Sequence, residues 1–333
     1  MAKGLDVGTS YIVLSTETNE GIEYKDFRDA FYVIKPTTPV ATKMIEKGLA
    51  GKVFIKDSDG SFILLGKDAI EKAIERNDNA KRPMFRGVVS AKEKDAKRVL
   101  AFILKEVVGT SSEVGEKLVF CVPAQPVDQE DDDFDIGYHE DVIKTVLKEC
   151  GYDARAINEA EALAYAELGD NDYTGVAVSC GAGMTNVCVM LNGEPTVVFS
   201  TTKSGDWIDR MSAIATGEKD SVVQAEKEGG LFTIGKPNDN PVLSAVSSYY
   251  DRLIDYTTKH LSSALSSHKS LPKFKDSLDV VVAGGTSLAD GYVDTFHNKL
   301  KENGFPLPIN QVKHASDPLH AVSKGCLIAA KVL

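Results

Sequence analysis

LDVGTS at residues 5–10 and SCGAGMT at residues 179–185 are two glycine-rich turns, each of which follows an apolar, strand-like run. Glycine tolerates positive φ and close backbone approach, so successive N–H groups can point at one anion, and a Ser or Thr hydroxyl adds a donor. A single turn of this kind predicts only a hairpin. Because the turn occurs once in each half of the chain, the sequence indicates two similar halves whose turns face each other and bind phosphate.

The composition limits the class of protein. The length of 333 residues, with 43% of them apolar, predicts two domains of ordinary size. Lys and Arg number 38 against 49 Asp and Glu, and the net charge of −11 argues against sequence-independent nucleic-acid binding and docking on an anionic membrane. No apolar stretch approaches the roughly 18 residues that a bilayer requires, and no signal-peptide core is evident. We therefore expect a cytoplasmic protein without nucleic-acid partners or direct membrane insertion.

Neither the cysteines nor the histidines are spaced as ligands of a transition metal. The five cysteines are scattered without a C-x-x-C pair, which favours buried, reduced thiols. The six histidines lack an H-E-x-x-H pattern.

Strand and helix patterns alternate in both halves of the chain, which predicts two α/β layers with a cleft between them. A cleft at such an interface is where small ligands usually bind. Strands are predicted at residues 4–7, 11–15, 31–34, 53–55, 62–65, 118–123, 175–179, 186–191, 196–201 and 278–283. Helices are predicted at residues 68–76, 91–108, 138–150, 158–168, 206–215, 242–267 and 318–332.

Residues 128–135 are acid-rich, because six of the eight are Asp or Glu. The segment precedes a predicted helix, whose N-terminus tolerates negative charge, so a solvated loop is one interpretation. A partner-docking or cation-binding loop is the alternative, although the spacing is not that of an EF-hand.

The order of the motifs resembles that of the actin, sugar-kinase and seventy-kilodalton heat-shock-chaperone superfamily, and most closely that of prokaryotic actins of the MreB and MamK type. The resemblance implies two related α/β domains with RNase H-like folds that flank a nucleotide cleft, each with a smaller subdomain. Residues 1–150 would form the first domain, with a small lobe at about 29–67, and residues 151–333 the second, with a small lobe at about 206–275. The segments that carry the resemblance are residues 6–10, 82–84, 87–90, 122–123, 158–165, 179–185, 283–288 and 317–333.

The same resemblance implies ATP or ADP with Mg²⁺ as the ligand. Asp6 would hold the hydrated cation, a normal role for a carboxylate because Mg²⁺ keeps much of its water shell. Glu159 matches the position that polarises the attacking water in the family. The phosphates would contact Gly8, Thr9, Ser10, Gly181, Ala182, Gly183, Met184 and Thr185, and the adenosine would contact Gly284, Gly285, Thr286 and Ser287.

Two further pairs of residues fall where prokaryotic actins contact phosphate and ribose. Gly205 and Asp206 precede a predicted helix, and Lys227 and Glu228 follow in a second segment. The alternative for Lys227 and Glu228 is an ordinary solvated helix face.

Ser179 departs from the family pattern, which usually has Asp at the start of the second turn. A carboxylate there helps to organise the Mg²⁺-bound waters and the nucleophile, and a hydroxyl supplies neither the charge nor a comparable acceptor. We therefore expect an actin-like ATPase that forms head-to-tail filaments, with a possible protein cargo or adaptor, and that hydrolyses ATP slowly with Glu159, Asp6 and Ser179 as catalytic residues. The alternative is a non-polymerising ATP-dependent module of the same fold, such as a small-molecule kinase, a chaperone-like protein or a reactivating factor.

Overall fold

The computed structural model of the protein describes residues 2–129, 134–268, 274 and 276–333. Part of the acid-rich segment, residues 130–133, lies outside these ranges. The strands are β1 (Lys3–Val7), β2 (Tyr11–Thr18), β3 (Gly21–Arg28), β4 (Phe31–Ile34), β5 (Phe54–Lys56), β6 (Phe62–Leu65), β7 (Met84–Phe85), β8 (Val88–Val89), β9 (Glu116–Val122), β10 (Tyr152–Asn158), β11 (Gly175–Cys180), β12 (Thr185–Leu191), β13 (Glu194–Thr201), β14 (Leu278–Ala283) and β15 (Ile309–His314). The helices are α1 (Pro39–Gly48), α2 (Lys67–Glu75), α3 (Ala96–Val108), α4 (Ile136–Glu149), α5 (Glu159–Glu167), α6 (Gly205–Thr216), α7 (Asp220–Gly229), α8 (Pro241–Ser267), α9 (Tyr292–Glu302) and α10 (Ala321–Val332).

Two five-stranded sheets share one topology. The first has the order β10-β9-β1-β2-β3 and the second the order β15-β14-β11-β12-β13. In each sheet three successive strands form an antiparallel meander. A later strand pairs in parallel with the first strand of that meander, and one further strand pairs in parallel with that later strand. The glycine-rich turns join equivalent strands, β1 to β2 and β11 to β12. This repetition confirms the prediction of two related α/β halves.

Helices α5 and α10 lie between the two sheets and form a shared core. That core joins apolar side chains of β9, such as Val119, to side chains of β11, β12 and β14, such as Ala177. Its helices approach closely because their contacting residues are small: a Cβ added at Gly325 would lie 1.7 Å from the carbonyl oxygen of Ala162, and one added at Gly4 would lie 2.2 Å from the carbonyl oxygen of Ser323. The backbone of α10 is therefore in direct contact with the backbones of α5 and β1.

Each sheet also has a core on its other face. In the first half, α3 and α4 cover it, and in the second half α6, α8 and α9 do so. A small sheet of order β4-β6-β5, with α1 and α2, extends from the first half at residues 31–75. Strand β10 joins the first sheet although it follows residue 150, and α10 packs on β1 and β9. The first half therefore includes chain from both sides of the predicted domain boundary. The domain division itself stays a prediction.

The sequence patterns missed the two-residue strands β7 and β8. They also missed six longer elements: β3, α1, β10, α7, α9 and β15. These elements carry few buried residues. Helix α1 has none and depends on a cap, in which Thr38 accepts a hydrogen bond from the Ala41 amide at 3.1 Å. In addition, the helix predicted at 91–108 begins only at Ala96. Within the described residues, no helix is both long and apolar enough to cross a membrane.

The contact between α5 and α10 yields a prediction about stability. Gly325→Ala would force a methyl group into the Ala162 backbone, so we expect it to lower the free energy of unfolding by about 3 kcal/mol or more. Gly48→Ala is the control, because a Cβ at Gly48, the last residue of α1, would enter open space. That variant should leave the stability unchanged or raise it by up to about 1 kcal/mol. Urea unfolding would measure both, and equal stabilities would contradict the close packing.

Candidate functional site

The two glycine-rich turns have the same hydrogen bond. The Gly8 amide donates to the Tyr11 carbonyl at 3.0 Å, and the Gly181 amide donates to the Met184 carbonyl at 3.1 Å. In each turn the first glycine amide thus closes the hairpin. The amides that follow are the ones placed to bind a ligand.

The second turn is held from behind by the N-terminus of α6. Its Gly181 carbonyl accepts hydrogen bonds from the hydroxyls of Ser204 at 2.6 Å and Thr286 at 2.7 Å, and its Ala182 carbonyl accepts from the Asp206 amide at 2.8 Å. In a trans peptide the N–H points opposite to the preceding C=O. The amides of Ala182 and Gly183 are therefore directed away from α6.

The two turns meet at Thr9. Its hydroxyl accepts a hydrogen bond from the Gly87 amide at 2.9 Å, and a Cβ added at Gly183 would lie 2.4 Å from the same oxygen. Only glycine fits at position 183 without displacing Thr9. Opposed turns in contact are the arrangement that the sequence predicted.

A cavity of about 550 Å³ opens between the halves beside these turns. Three of the predicted site residues lie behind its wall: Thr185, whose hydroxyl bonds to the Lys203 carbonyl and to Ser204, Gly205, and the buried Ser287. The other predicted residues line it, namely Asp6, Gly8, Thr9, Ser10, Glu159, Ser179, Gly181, Ala182, Gly183, Met184, Asp206, Lys227, Glu228, Gly284, Gly285 and Thr286.

Glu159 lies on the cavity floor as the first residue of α5. Asn158 caps this helix by accepting hydrogen bonds from the amides of Ala160 at 2.9 Å and Glu161 at 3.4 Å. The Ser179 hydroxyl donates to one Glu159 oxygen at 2.5 Å. The other oxygen accepts from the Asn186 side-chain amide at 2.9 Å. Both carboxyl oxygens of Glu159 are thus bound by donors from the second sheet.

The sequence analysis did not single out Asn186. Ser179 and Asn186 are paired directly across β11 and β12, so both side chains are on the same face of the sheet. Register counted outward from the turn at residues 181–184 was the signal that could have found this residue.

Asp6, at the end of β1, shares the floor with Glu159. Its Oδ1 accepts a hydrogen bond from the buried Cys121 thiol at 3.1 Å. Burial raises the pKa of Asp6 to about 6, although the Cys121 thiol opposes the increase. Burial also raises the pKa of Glu159 to about 8, the nearby Asp6 carboxyl adds to the rise, and the Ser179 hydroxyl opposes it. Poor solvation thus keeps both carboxyl groups protonated to a higher pH than is usual for Asp and Glu.

Ion pairs connect the two halves across the cavity mouth. Arg82 donates to both carboxylate oxygens of Asp206, at 2.8 and 2.9 Å, and Arg28 lies 3.3 Å from Glu228. Lys227 instead pairs within the second half, with the buried Asp209 at 2.7 Å. Three predicted ligand contacts are therefore bound to other side chains in this structure.

The sequence matches the Volactin family over residues 1–330. The chain belongs to the Volactin family. No curated protein matches it.

Solved structures similar to this Volactin-family protein share its architecture. One is the MamK double helical filament, with a TM-score of 0.74, 19% identity and coverage of 100% of this chain and 99% of that one. Another is MreB 5 of Spiroplasma citri bound to AMPPNP, with a TM-score of 0.68, 16% identity and coverage of 99% and 96%. A third is the ethanolamine utilization protein EutJ from Carboxydothermus hydrogenoformans, with a TM-score of 0.54, 16% identity and coverage of 98% and 88%. Together they confirm the actin-like, two-half fold and the resemblance to prokaryotic actins.

The cavity of the Volactin-family protein is rich in acid. Among the residues that the structure describes, two cationic side chains line it, Arg28 and Lys227. Six carboxyl side chains line it: Asp6, Glu159, Asp206, Asp209, Glu228 and Asp290. A polyphosphate would enter such a cavity more easily with a divalent cation. The Asp6 carboxyl on the floor is an oxygen donor of the type that Mg²⁺ accepts, directly or through water, so the residues present fit this cation.

The raised pKa of Glu159 predicts a pH dependence of stability. The folded protein holds this proton until about pH 8, whereas the ordinary value is 4.5. Folding therefore binds a proton between these values, and the free energy of unfolding falls as the pH rises through them. Glu159→Gln cannot titrate. We expect it to remove about 2 kcal/mol of the loss between about pH 6 and 8, a window that begins at the pKa of about 6 for Asp6, so most of the titration of Glu159 lies above it.

Urea unfolding of the nucleotide-free protein across this pH range measures the effect. Glu194→Gln is the matched control, since Glu194 is exposed at the start of β13. Its pH dependence should equal that of the wild type. A Glu159→Gln variant with the wild-type slope would show that Glu159 titrates near its ordinary pKa.

Proposed function

We propose that this Volactin-family protein binds ATP or ADP with Mg²⁺ in the cavity and polymerises head-to-tail into cytoplasmic filaments, with slow ATP hydrolysis. The observation that carries the proposal is the pair of opposed glycine-rich turns, which meet at Thr9 and line the same cavity as Glu159. The fold shared with the MamK double helical filament supports assembly, and the AMPPNP bound to MreB 5 supports the choice of nucleotide. A protein cargo or adaptor would recognise the filament.

The roles of the residues follow from their places in the cavity. Amides after Gly8 and Gly181 would hold the phosphates, with Thr9 and Gly183 at their meeting point. Asp6 would hold hydrated Mg²⁺, which supplies charge neutralisation of the phosphates. The segment Gly284–Thr286 would contact the adenosine, beside the partly exposed Leu288 and Leu319. Gly205 would act through the turn that it supports, and Asp206 and Glu228 would have to exchange their arginine partners for the ligand.

A non-polymerising module remains the second candidate. The similarity to the ethanolamine utilization protein EutJ supports it. Fold and nucleotide site together do not determine assembly. The two candidates share ATP binding and differ only in self-association.

Ultracentrifugal pelleting with Mg²⁺ and ATP, Mg²⁺ and ADP, or no nucleotide separates the two functions. We expect ATP-dependent pelleting, with ordered filaments in negative-stain electron micrographs. Because the net charge is −11, assembly should strengthen as salt screens the repulsion between subunits. Nucleotide binding is measured in parallel by calorimetry. Protein that binds ATP and stays monomeric at every salt concentration would favour the module, and protein that binds none would refute both candidates.

Ser179→Asp tests the proposal of slow hydrolysis. The new carboxylate would face Mg²⁺-bound water, and we expect phosphate release to rise by roughly tenfold or more. Ser179→Asn is the matched control, with similar size and no charge, and should give no gain. Because Ser179 is 2.5 Å from Glu159, the rise should require saturating Mg²⁺ to balance the added charge. Equal rates for wild type and Ser179→Asp would contradict the idea that the hydroxyl limits turnover.

A further inference from the structure

The orientation of the Asn186 side chain is determined by its surroundings. Its Oδ1 accepts a hydrogen bond from the Ala124 amide at 2.8 Å. A backbone N–H can only donate, so the oxygen of the side chain must face it and the NH₂ group must face Glu159. Asn186 is completely buried, so bulk solvent does not reach either group.

The segment that contains Ala124 crosses from the first sheet to the second. After β9 it runs beside β13, where the Val127 amide donates to the Ser200 carbonyl at 2.9 Å and the Ser200 hydroxyl donates to the Ala124 carbonyl at 2.7 Å. Asp128 extends the contact by accepting hydrogen bonds from the Thr202 amide at 2.9 Å and the Tyr256 hydroxyl at 2.6 Å. Ala124–Asp128 is therefore a connection that is bonded to the second half along its length.

Asn186 is the side chain that contacts both this connection and Glu159. Ser179, the other donor to Glu159, lies on β11, and within the described part of the chain its side chain makes no hydrogen bond to the connection. We propose that Asn186 is a positioning residue, which orients the Glu159 carboxyl toward the cavity and links its position to the connection between the two halves. The role in hydrolysis rests on the proposed function, whereas the link between Asn186 and Glu159 can be tested without it.

Other titratable groups surround Glu159 and set the background for a pH experiment. The Asp6 carboxyl on β1 raises the pKa of Glu159. The buried thiols of Cys121 on β9 and Cys180 on β11 also have raised pKa values. For Cys121 the causes are a hydrogen bond with Cys326 and burial. For Cys180 the cause is burial. These thiols stay neutral at neutral pH, so Asn186 and Asp6 are the neighbours to vary.

Asn186→Asp is the informative variant. It preserves the size of the side chain and the oxygen that accepts from Ala124, but it replaces the donor to Glu159 by a second carboxyl oxygen. Two close carboxyl groups retain a proton to higher pH. We expect the pH at which Glu159 ionises to rise by about one unit or more, read from the side-chain ¹³C signal of labelled glutamate in the nucleotide-free protein. The Glu159→Gln variant assigns that signal.

Asn310→Asp is the matched control. Asn310 donates to the buried Asp279 at 2.7 Å, at the outer strand β15 and away from the cavity, so its variant adds the same charge to another carboxyl group. It should leave the Glu159 signal unchanged. If Asn186→Asp does not fold, Asn186→Ala is measured instead, and loss of the donor should again raise the ionisation pH. An unchanged Glu159 titration in the folded variant would overturn the proposal.

The pH profile of phosphate release then tests the role in hydrolysis. The acidic limb of this profile, where the rate rises as Glu159 ionises, should move to higher pH together with the Glu159 titration. The rate near neutral pH should therefore fall by roughly tenfold in Asn186→Asp and not in Asn310→Asp. A titration that moves without the limb would overturn the positioning role. A wild type that releases no phosphate would refute the proposed hydrolysis, while the titration alone would still decide whether Asn186 controls Glu159.

Discussion

The close contact between α5 and α10 is the constraint on which the rest of the structure depends. Gly325 admits the Ala162 backbone, and Gly4 admits α10 to β1, so both helices fit between the two sheets. This packing brings the ends of β1 and β11 to one cavity and places the first residue of α5 beneath both. Asp6, Ser179 and Glu159 come from three elements. They form one cavity floor because the small residues at the contact of α10 with α5 and β1 allow these elements to approach closely. A larger residue at that contact would move Asp6, Ser179 and Glu159 apart before it disturbed either sheet.

Much of the fold could be predicted because one pattern occurs twice. Strands 31–34, 62–65 and 278–283 were located to the residue, since each is an apolar run bounded by turn-forming residues. Strand β3 was missed because it is mostly exposed, and its charged residues give no hydrophobic alternation. Helix α1 was missed because it buries no residue, and its N-terminal cap at Thr38 is the local signal that marks it. Elements that bury little leave a weak signal, although they complete the sheet edge and the small lobe.

The site was predictable where chemistry lies in local motifs, and it was not where chemistry arises from tertiary contacts. The turns, Asp6 and Glu159 are short segments with recognisable residue types. Arg82 and Asp206 are 124 residues apart, and their pairing depends on how the two halves close. Asn186 required strand register, which a turn position determines but hydrophobicity alone does not. No sequence pattern indicated that Lys227 would form an ion pair with the buried Asp209 instead of facing solvent.

The charges of the cavity connect closure with ligand binding. Arg82 and Arg28 extend from the first half to acidic residues of the second. Asp29 is fully buried between β3 and β4, and burial raises its pKa. The same two arginines oppose that increase. When the halves separate, both arginines lose their partners across the cleft, and Asp29 is the carboxyl group that remains near them in their own half. Ionised Asp29 would then balance their charge, whereas the closed form leaves it poorly compensated. A ligand that brings its own phosphate charge and cation to the cavity acts on this same balance.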